Sequence, residues 1–553
     1  MFLRSFFLSL SLVFTSHAAS PLRVPQTFSI TADVGIGNSV FVVGNHLDLG
    51  TWDVTKSIKL RWTPGNVWTG SIGIQSGTAL RYKFIRRAAG STNICDGGNT
   101  SDLGPIQSLN IPAQPDAPYL GKTILYYSSW TRAFILYRDG TQWLTREMTR
   151  IGAGRFAGEN QFRLSGIGVA GETLEFVPND NNGHYDNPPG GGNYLTDLDA
   201  FILQDGGVYN YQPAASVSAP SIVSRQIQSS YSGIPARGIR IYLPRGYTEN
   251  TWKSYPVLYF HDGQNVFDPG GTFGSWSADA IATKEISQGR MRECILIGID
   301  NTSNRINEYL PPTDSYGGNP GMADRYRDFV INNVRPAIDS AYRSLNDRAN
   351  TLTAGSSMGG LVSLYMGRES TTFGKIGILS PAFWTAPNYM NQFALGSKIS
   401  QRTYIDMGTA EGGTQWPDVL NAYDIFLKQG YAPNSDLRFI TGCGDGHNEA
   451  AWKRRLPEFY HYVLNIWDEP NAIAQREFPS RVSLLALDSV SGRATLRFPS
   501  LFGFRYDIER SPTLKSWENA TSISAEPLPW SVRSLELPAS GSSQFWRLKT
   551  TAP

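Results

Sequence analysis

Between residues 20 and 115, apolar and polar positions alternate in short runs broken by turns. Examples are Phe28-Ser29-Ile30-Thr31-Ala32, Ser39-Val40-Phe41-Val42-Val43 and Leu80-Arg81-Tyr82-Lys83-Phe84-Ile85. A period of two puts alternate side chains on opposite faces of a strand, so this segment predicts a small β-sandwich. A second all-β stretch covers 120–212. It contains Phe134-Ile135-Leu136-Tyr137 and Leu174-Glu175-Phe176-Val177, then a loop rich in Asn, Asp, Gly and Pro. Residues 213–222, rich in Ala, Ser and Pro, read as a linker. From residue 223 the pattern changes. Apolar strand-like runs (Pro256-Val257-Leu258-Tyr259-Phe260, Cys294 to Ile299, Thr351-Leu352-Thr353, Ile376-Gly377-Ile378-Leu379, Thr403-Tyr404-Ile405) alternate with amphipathic helical stretches such as Tyr326 to Tyr342. That alternation predicts a mostly parallel sheet flanked by helices, ending near 470. Residues 478–553 return to short strands and turns and predict a small closing β-domain.

Composition fits this multidomain picture. The 553 residues include 55 Gly and 33 Pro, as turn-rich β structure requires, and 12% aromatic residues. Basic and acidic residues nearly balance, 49 against 47, so the charge gives no footprint for nucleic acid or an anionic membrane. Residues 1–19 read as a signal peptide. Arg4 is the positive start, Phe6 to Phe14 is the apolar core, and Ser16-His17-Ala18-Ala19 supplies small residues for cleavage. That apolar run is too short to span a bilayer, so the expected product is secreted or periplasmic. Three cysteines, Cys95, Cys294 and Cys443, lie far apart and imply no disulfide framework.

The candidate chemistry centres on Gly355-Ser356-Ser357-Met358-Gly359, a G-x-S-x-G sequence between a strand-like run (350–353) and a helical pattern (361–368). Strand, sharp turn and helix are the setting in which this motif exposes a nucleophile, here Ser357; Ser356 is out of register with the glycines. A serine hydroxyl needs a base. Of six histidines, His17 leaves with the leader, His46 and His184 belong to the β-modules, His261 ends a strand ahead of Ser357, and His461 falls in a helix. His447 remains, in the glycine-rich loop Gly442-Cys443-Gly444-Asp445-Gly446-His447. An acid between Ser357 and His447, at the end of a strand, would orient the imidazole. Glu411, after the strand Thr403 to Gly408, is the first candidate, and Asp418 is its rival. The oxyanion would take the backbone N–H of Met358 and a second N–H from the loop His261-Asp262-Gly263-Gln264-Asn265, at Gln264 or Gly263. His261 and Asp262 are expected to hold that loop. The pattern implies no metal and no cofactor, and it points to no required protein partner.

These stretches, together with Ser380-Pro381-Ala382-Phe383-Trp384 and Gly446-His447-Asn448-Glu449-Ala450-Ala451-Trp452, resemble the esterase family that includes esterase D, enterochelin esterase and bacterial feruloyl esterases. The resemblance covers 223–470. It implies an α/β-hydrolase fold and a serine esterase with the triad Ser357, His447 and an acid. Phe383, Trp384 and Trp452 are candidates to line an acyl pocket. Residues 20–115 resemble a family-20 starch-binding module through Val43-Gly44-Asn45, Leu49-Gly50-Thr51-Trp52 and Tyr82-Lys83-Phe84-Ile85, which implies sugar contacts at Trp52 and Lys83. The second stacking tryptophan of that family is replaced here by Ile94-Cys95-Asp96. Residues 120–212 resemble a family-25 starch-binding module, with Trp143, Tyr185 and Asn187 in the sugar-binding stretches and Leu136 where the family has histidine. The implied partner is a polysaccharide, α-glucan or starch. The implied reaction is hydrolysis of an acetyl or feruloyl ester. A transferase of the same fold and a non-catalytic sugar-binding protein are the alternatives.

Overall fold

A computed structural model describes residues 23–110, 122–468 and 483–551. Within these spans, 35–37, 53, 55–56, 64, 76–77, 89–99, 140–141, 169–172, 190, 199, 212, 252, 413–414, 434, 443, 489–492, 502–504, 512–517, 525–529 and 539–544 are not described. The leader, Cys95 with its neighbours, and Cys443 therefore lie outside the described residues.

Alternation gives sandwiches at the N-terminal end. Asn38–Gly44 pairs with Ile58–Lys59 and Ala79–Ala88 in one sheet, and Arg23–Thr31, Val67–Gln75 and Arg61–Thr63 form the other. Their inward residues, among them Phe28, Val40, Val42, Leu60, Ile72 and Phe84, make one apolar core. The next unit packs a four-stranded sheet on a five-stranded one around Ile124, Ile135, Phe162, Phe176 and Phe201. At the C-terminal end the described strands form two three-stranded antiparallel sheets.

The central domain holds eight strands: β1 (Ser221–Ile227), β2 (Arg237–Leu243), β3 (Val257–His261), β4 (Ile295–Ile299), β5 (Thr351–Ser356), β6 (Lys375–Leu379), β7 (Arg402–Gly408) and β8 (Leu437–Gly442). Their order across the sheet is 1-2-4-3-5-6-7-8. β2 runs antiparallel to both β1 and β4, and the other pairs are parallel. β3 to β6 are buried along their whole length, as strands covered by helices on both faces must be. The covering helices include α1 (Ala278–Ser287), α2 (Arg305–Tyr309), α3 (Met358–Arg368), α4 (Trp416–Lys428) and α5 (Glu449–Val463). Two separate apolar clusters, one on each face, hold them to the sheet. This is the mixed-sheet α/β-hydrolase arrangement. Loops leaving the C-terminal ends of β3, β5, β7 and β8 meet at one edge of the parallel part.

Residues 213–222, read from composition as a linker, are tied down at Ala214 and run into a strand at Ser221. Ala214 N–H donates to Asn250 Oδ1 at 2.9 Å, and the Ala214 carbonyl accepts from Gln204 Nε2 at 2.8 Å. Ser221 already begins β1. The amide side chains that pin Ala214, those of Gln204 and Asn250, lie outside the segment, so its own composition does not show them.

Candidate active site

Ser357 sits between β5 and α3 with φ 58° and ψ −123°, a conformation that L-residues avoid. Neighbouring backbone holds it there. Its N–H donates to the Leu379 carbonyl at 3.0 Å, and its carbonyl accepts from Ala382 N at 3.0 Å and Gly360 N at 3.1 Å. Gly355 is required because a Cβ there would stand 2.8 Å from the Gly359 carbonyl. Ser356 is the last residue of β5 and is buried. Met358 opens α3, and first-turn N–H groups have no acceptor within their own helix.

His447 Nδ1 lies 2.8 Å from Glu411 Oε2. The Glu411 carboxylate is fully buried, while His447 is one-third exposed. Glu411 Oε1 accepts from Gly408 N at 2.6 Å and from Ser380 Oγ at 2.5 Å. Asp418, the rival acid, sits in the first turn of α4, where burial raises its carboxyl above the ordinary range. The two loops are laced together. Ala410 N donates to the Asp445 carbonyl at 2.9 Å, Gly444 N donates to Thr409 Oγ1 at 2.9 Å, and a Cβ on Gly408 would meet that Asp445 carbonyl at 2.3 Å.

Behind the pair is a polar cluster that the sequence reading missed. Ser380 Oγ accepts from Trp452 Nε1 at 2.9 Å and from Arg455 Nη2 at 2.8 Å while it donates to Glu411. Arg455 also binds Asp406 Oδ1 at 3.1 Å and Asp445 Oδ2 at 2.7 Å. Burial pushes the Asp406 carboxyl up, and the nearby Arg455 charge draws it back. One buried guanidinium thus holds the strand end, both loops and the acid. Arg455 carries no local signal, because a basic residue in the run Lys453-Arg454-Arg455 reads as a solvated helix face.

On the other side, Gly263-Gln264-Asn265 form a single 3-10 turn after β3. Gly263 is packed so closely that a Cβ would stand 2.3 Å from the Gly298 carbonyl carbon. Gln264 Oε1 accepts from Asn301 N at 3.0 Å. His261 is buried between Tyr326 Oη (2.9 Å) and Thr353 Oγ1 (3.0 Å), and burial lowers its pKa to about 3, so it stays neutral. Trp452 is buried, with its ring edge-on to His447 at 5.1 Å, and Phe383 is core. Trp384 is 45% exposed and packs on Tyr316.

The family described as "Putative esterase" matches residues 235–460, the span that holds all of this geometry. Residues 235–460 are an esterase-family domain. A second family, described as "Starch binding domain", matches residues 23–105, and that segment is a starch-binding module. The esterase-bearing chain is similar to an iron(III) salmochelin esterase of Escherichia coli, 25% identical over 237 residues, covering 40% of this chain and 53% of that protein. It is also similar to an α-amylase of Streptomyces violaceus, 34% identical over 80 residues, 14% of each chain. The chain thus spans about half or less of these two curated relatives. A solved ferulic acid esterase of Anaeromyces mucronatus is 21% identical over 46% of this chain and 96% of its own, with a TM-score of 0.35.

The sugar-site candidates are distributed over the two modules. Trp52 ends the turn Leu47–Trp52 and is partly exposed, while Lys83 Nζ is engaged by Asp102 at 2.7 Å. Trp143 and Tyr185 are exposed aromatic rings. Trp143 pairs with Arg138, and Tyr185 bridges Asn179, whose partner Phe134 lies four residues back along the same strand. The two rings therefore start from opposite ends of one sheet. Asn187 Nδ2 donates to the Gly192 carbonyl at 2.6 Å, within its own loop.

Proposed function

We propose that this protein is an exported serine carboxylic-ester hydrolase that acts on acyl esters of polysaccharide and is held near α-glucan by its N-terminal modules. The observation that carries the reading is the buried Glu411 carboxylate on His447 Nδ1, in the same domain as a serine strained at a strand–helix elbow. In this reading the Glu411 carboxylate accepts from Nδ1–H, and Nε2 is left to accept a proton. Ser357 Oγ attacks the ester carbonyl carbon as His447 Nε2 takes its proton. The carbonyl oxygen becomes an oxyanion facing the N–H groups of Met358 and of Gly263 or Gln264. Collapse breaks the C–O bond to the alcohol, which leaves with the proton from His447, and an acyl-serine remains. Water, deprotonated by His447, then repeats the sequence and frees the acid.

The starch-binding module and the α-amylase similarity support α-glucan as the attached polymer. The similarity to an iron(III) salmochelin esterase supports hydrolysis of an ester. Hydrolysis of nitrophenyl acetate and nitrophenyl ferulate by wild type and Ser357→Ala tests the reaction. A loss of at least ~10³-fold in kcat is expected for the variant, and equal rates would refute it. Co-sedimentation with starch tests the modules: wild type should bind, and Trp52→Ala and Trp143→Ala should each weaken binding.

A further inference from the structure

Asp262 takes the left-handed conformation, φ 59° and ψ 44°, immediately before the Gly263–Asn265 turn. That conformation is costly for a non-glycine residue, though less so for Asp than for most, and here the surroundings hold it. The surroundings here come from one segment, the chain that follows β4. Arg305 grips the Asp262 carboxylate with two bonds, Nε to Oδ1 at 2.7 Å and Nη2 to Oδ2 at 2.8 Å. Asn301 Nδ2 adds a third at 2.6 Å, and Tyr309 Oη accepts from Asp262 N at 3.2 Å. The backbone N–H of the same Asn301 holds Gln264 Oε1. Both residues flanking Gly263 are therefore clamped by residues 301–309.

The clamp also reaches the nucleophile helix. A Cβ placed on Gly359 would lie 3.3 Å from Asp262 Oδ2, so the carboxylate rests against the first turn of α3. That helix end carries partial positive charge, which suits a carboxylate. One face of the carboxylate thus meets Arg305, and the other meets the turn that begins with Met358.

From this geometry we infer that Arg305 is a positioning residue: through Asp262 it sets the relative placement of the two backbone N–H groups that receive the oxyanion. The inference rests on the esterase reading above. Arg305 itself touches neither serine nor substrate. Its planar fork is needed because two carboxylate oxygens must be fixed at once, which an ammonium cannot do. Donors aimed at a developing oxyanion act in the transition state, so loosening them lowers kcat and leaves KM nearly unchanged.

The test compares wild type, Ser357→Ala, Arg305→Ala and Arg305→Lys on nitrophenyl acetate, with melting temperatures for each. Arg305→Ala should lose roughly 10- to 100-fold in kcat, less than a full oxyanion donor is worth, with KM within threefold. Its guanidinium is partly exposed in the wild type, so ~20 mM guanidinium ion should restore part of kcat, whereas methylammonium should not. Arg305→Lys should show a similar kcat deficit, and it serves as the test if Arg305→Ala does not fold. Wild-type kcat in both variants, or a loss carried by KM, would overturn the assignment. So would failure of guanidinium to act on a folded Arg305→Ala. If wild type and Ser357→Ala hydrolyse equally, it is the esterase reading that fails, and the two failures are thereby told apart.

Discussion

At the scale of single residues, the acid is the position where sequence and structure differ most in resolving power. Ser357 is legible because an elbow is local: a strand, two glycines and a helix lie within twenty residues. His447 is legible by elimination among six histidines. Glu411 ranks ahead of Asp418 in the sequence only by lying nearer the end of β7, because both are carboxylates after that strand and nothing local tells which one turns inward. The fold separates them through Gly408, whose missing side chain lets the chain double back, and through Ser380 and Arg455, which come from other elements. An acid that orients the imidazole and stabilises its charged form is worth ~10²–10⁴ in kcat. Glu411→Gln is expected to fall in that range on a nitrophenyl ester, and Asp418→Asn to stay within about twofold. The reverse ranking would move the acid to Asp418.

Elements show the same division. Strands β3 to β7 are readable as apolar runs because both faces are buried. The ties between them are not, since they depend on pairs of polar residues far apart in sequence. His261 is one such tie: it ends β3 and bridges Thr353 of β5 and Tyr326 of the helical stretch after α2. Its folded pKa of about 3 lies below the ordinary value of about 6.5. The unfolded chain therefore binds a proton that the folded chain refuses. The stability this site contributes is complete above about pH 6.5 and drains away as pH falls toward 3. Thermal unfolding of wild type between pH 7 and pH 4 should show a decline that is shallower in His261→Asn. Parallel slopes for the two proteins would show that His261 is not the titrating group.

For the whole molecule, the pattern of strands and helices gives the multidomain plan, whereas how the units join is invisible in it. The second sandwich is built into the esterase body. Tyr211 Oη donates to the Glu293 carboxylate at 2.8 Å, Lys253 Nζ pairs with the same carboxylate at 2.8 Å, and Ile466 from the chain after α5 joins the sandwich core. All three polar groups are buried. Leaving a buried charge short of a hydrogen bond costs about 1–3 kcal/mol, so Tyr211→Phe is expected to lower stability by that amount in urea unfolding. A chain lacking residues 23–121 should keep its hydrolysis of soluble esters, and one lacking 23–212 should not fold. Normal folding of the longer deletion would contradict this integrated architecture.

The central claim is that Ser357 forms a covalent acyl intermediate, and trapping that serine tests it most directly. Intact-mass measurement after treatment with an alkyl fluorophosphonate should show one adduct, mapped by peptide fragmentation to Ser357. Ser357→Ala should stay unmodified, and His447→Ala should react far more slowly. An adduct on another residue, or equal labelling of Ser357→Ala, would contradict the account.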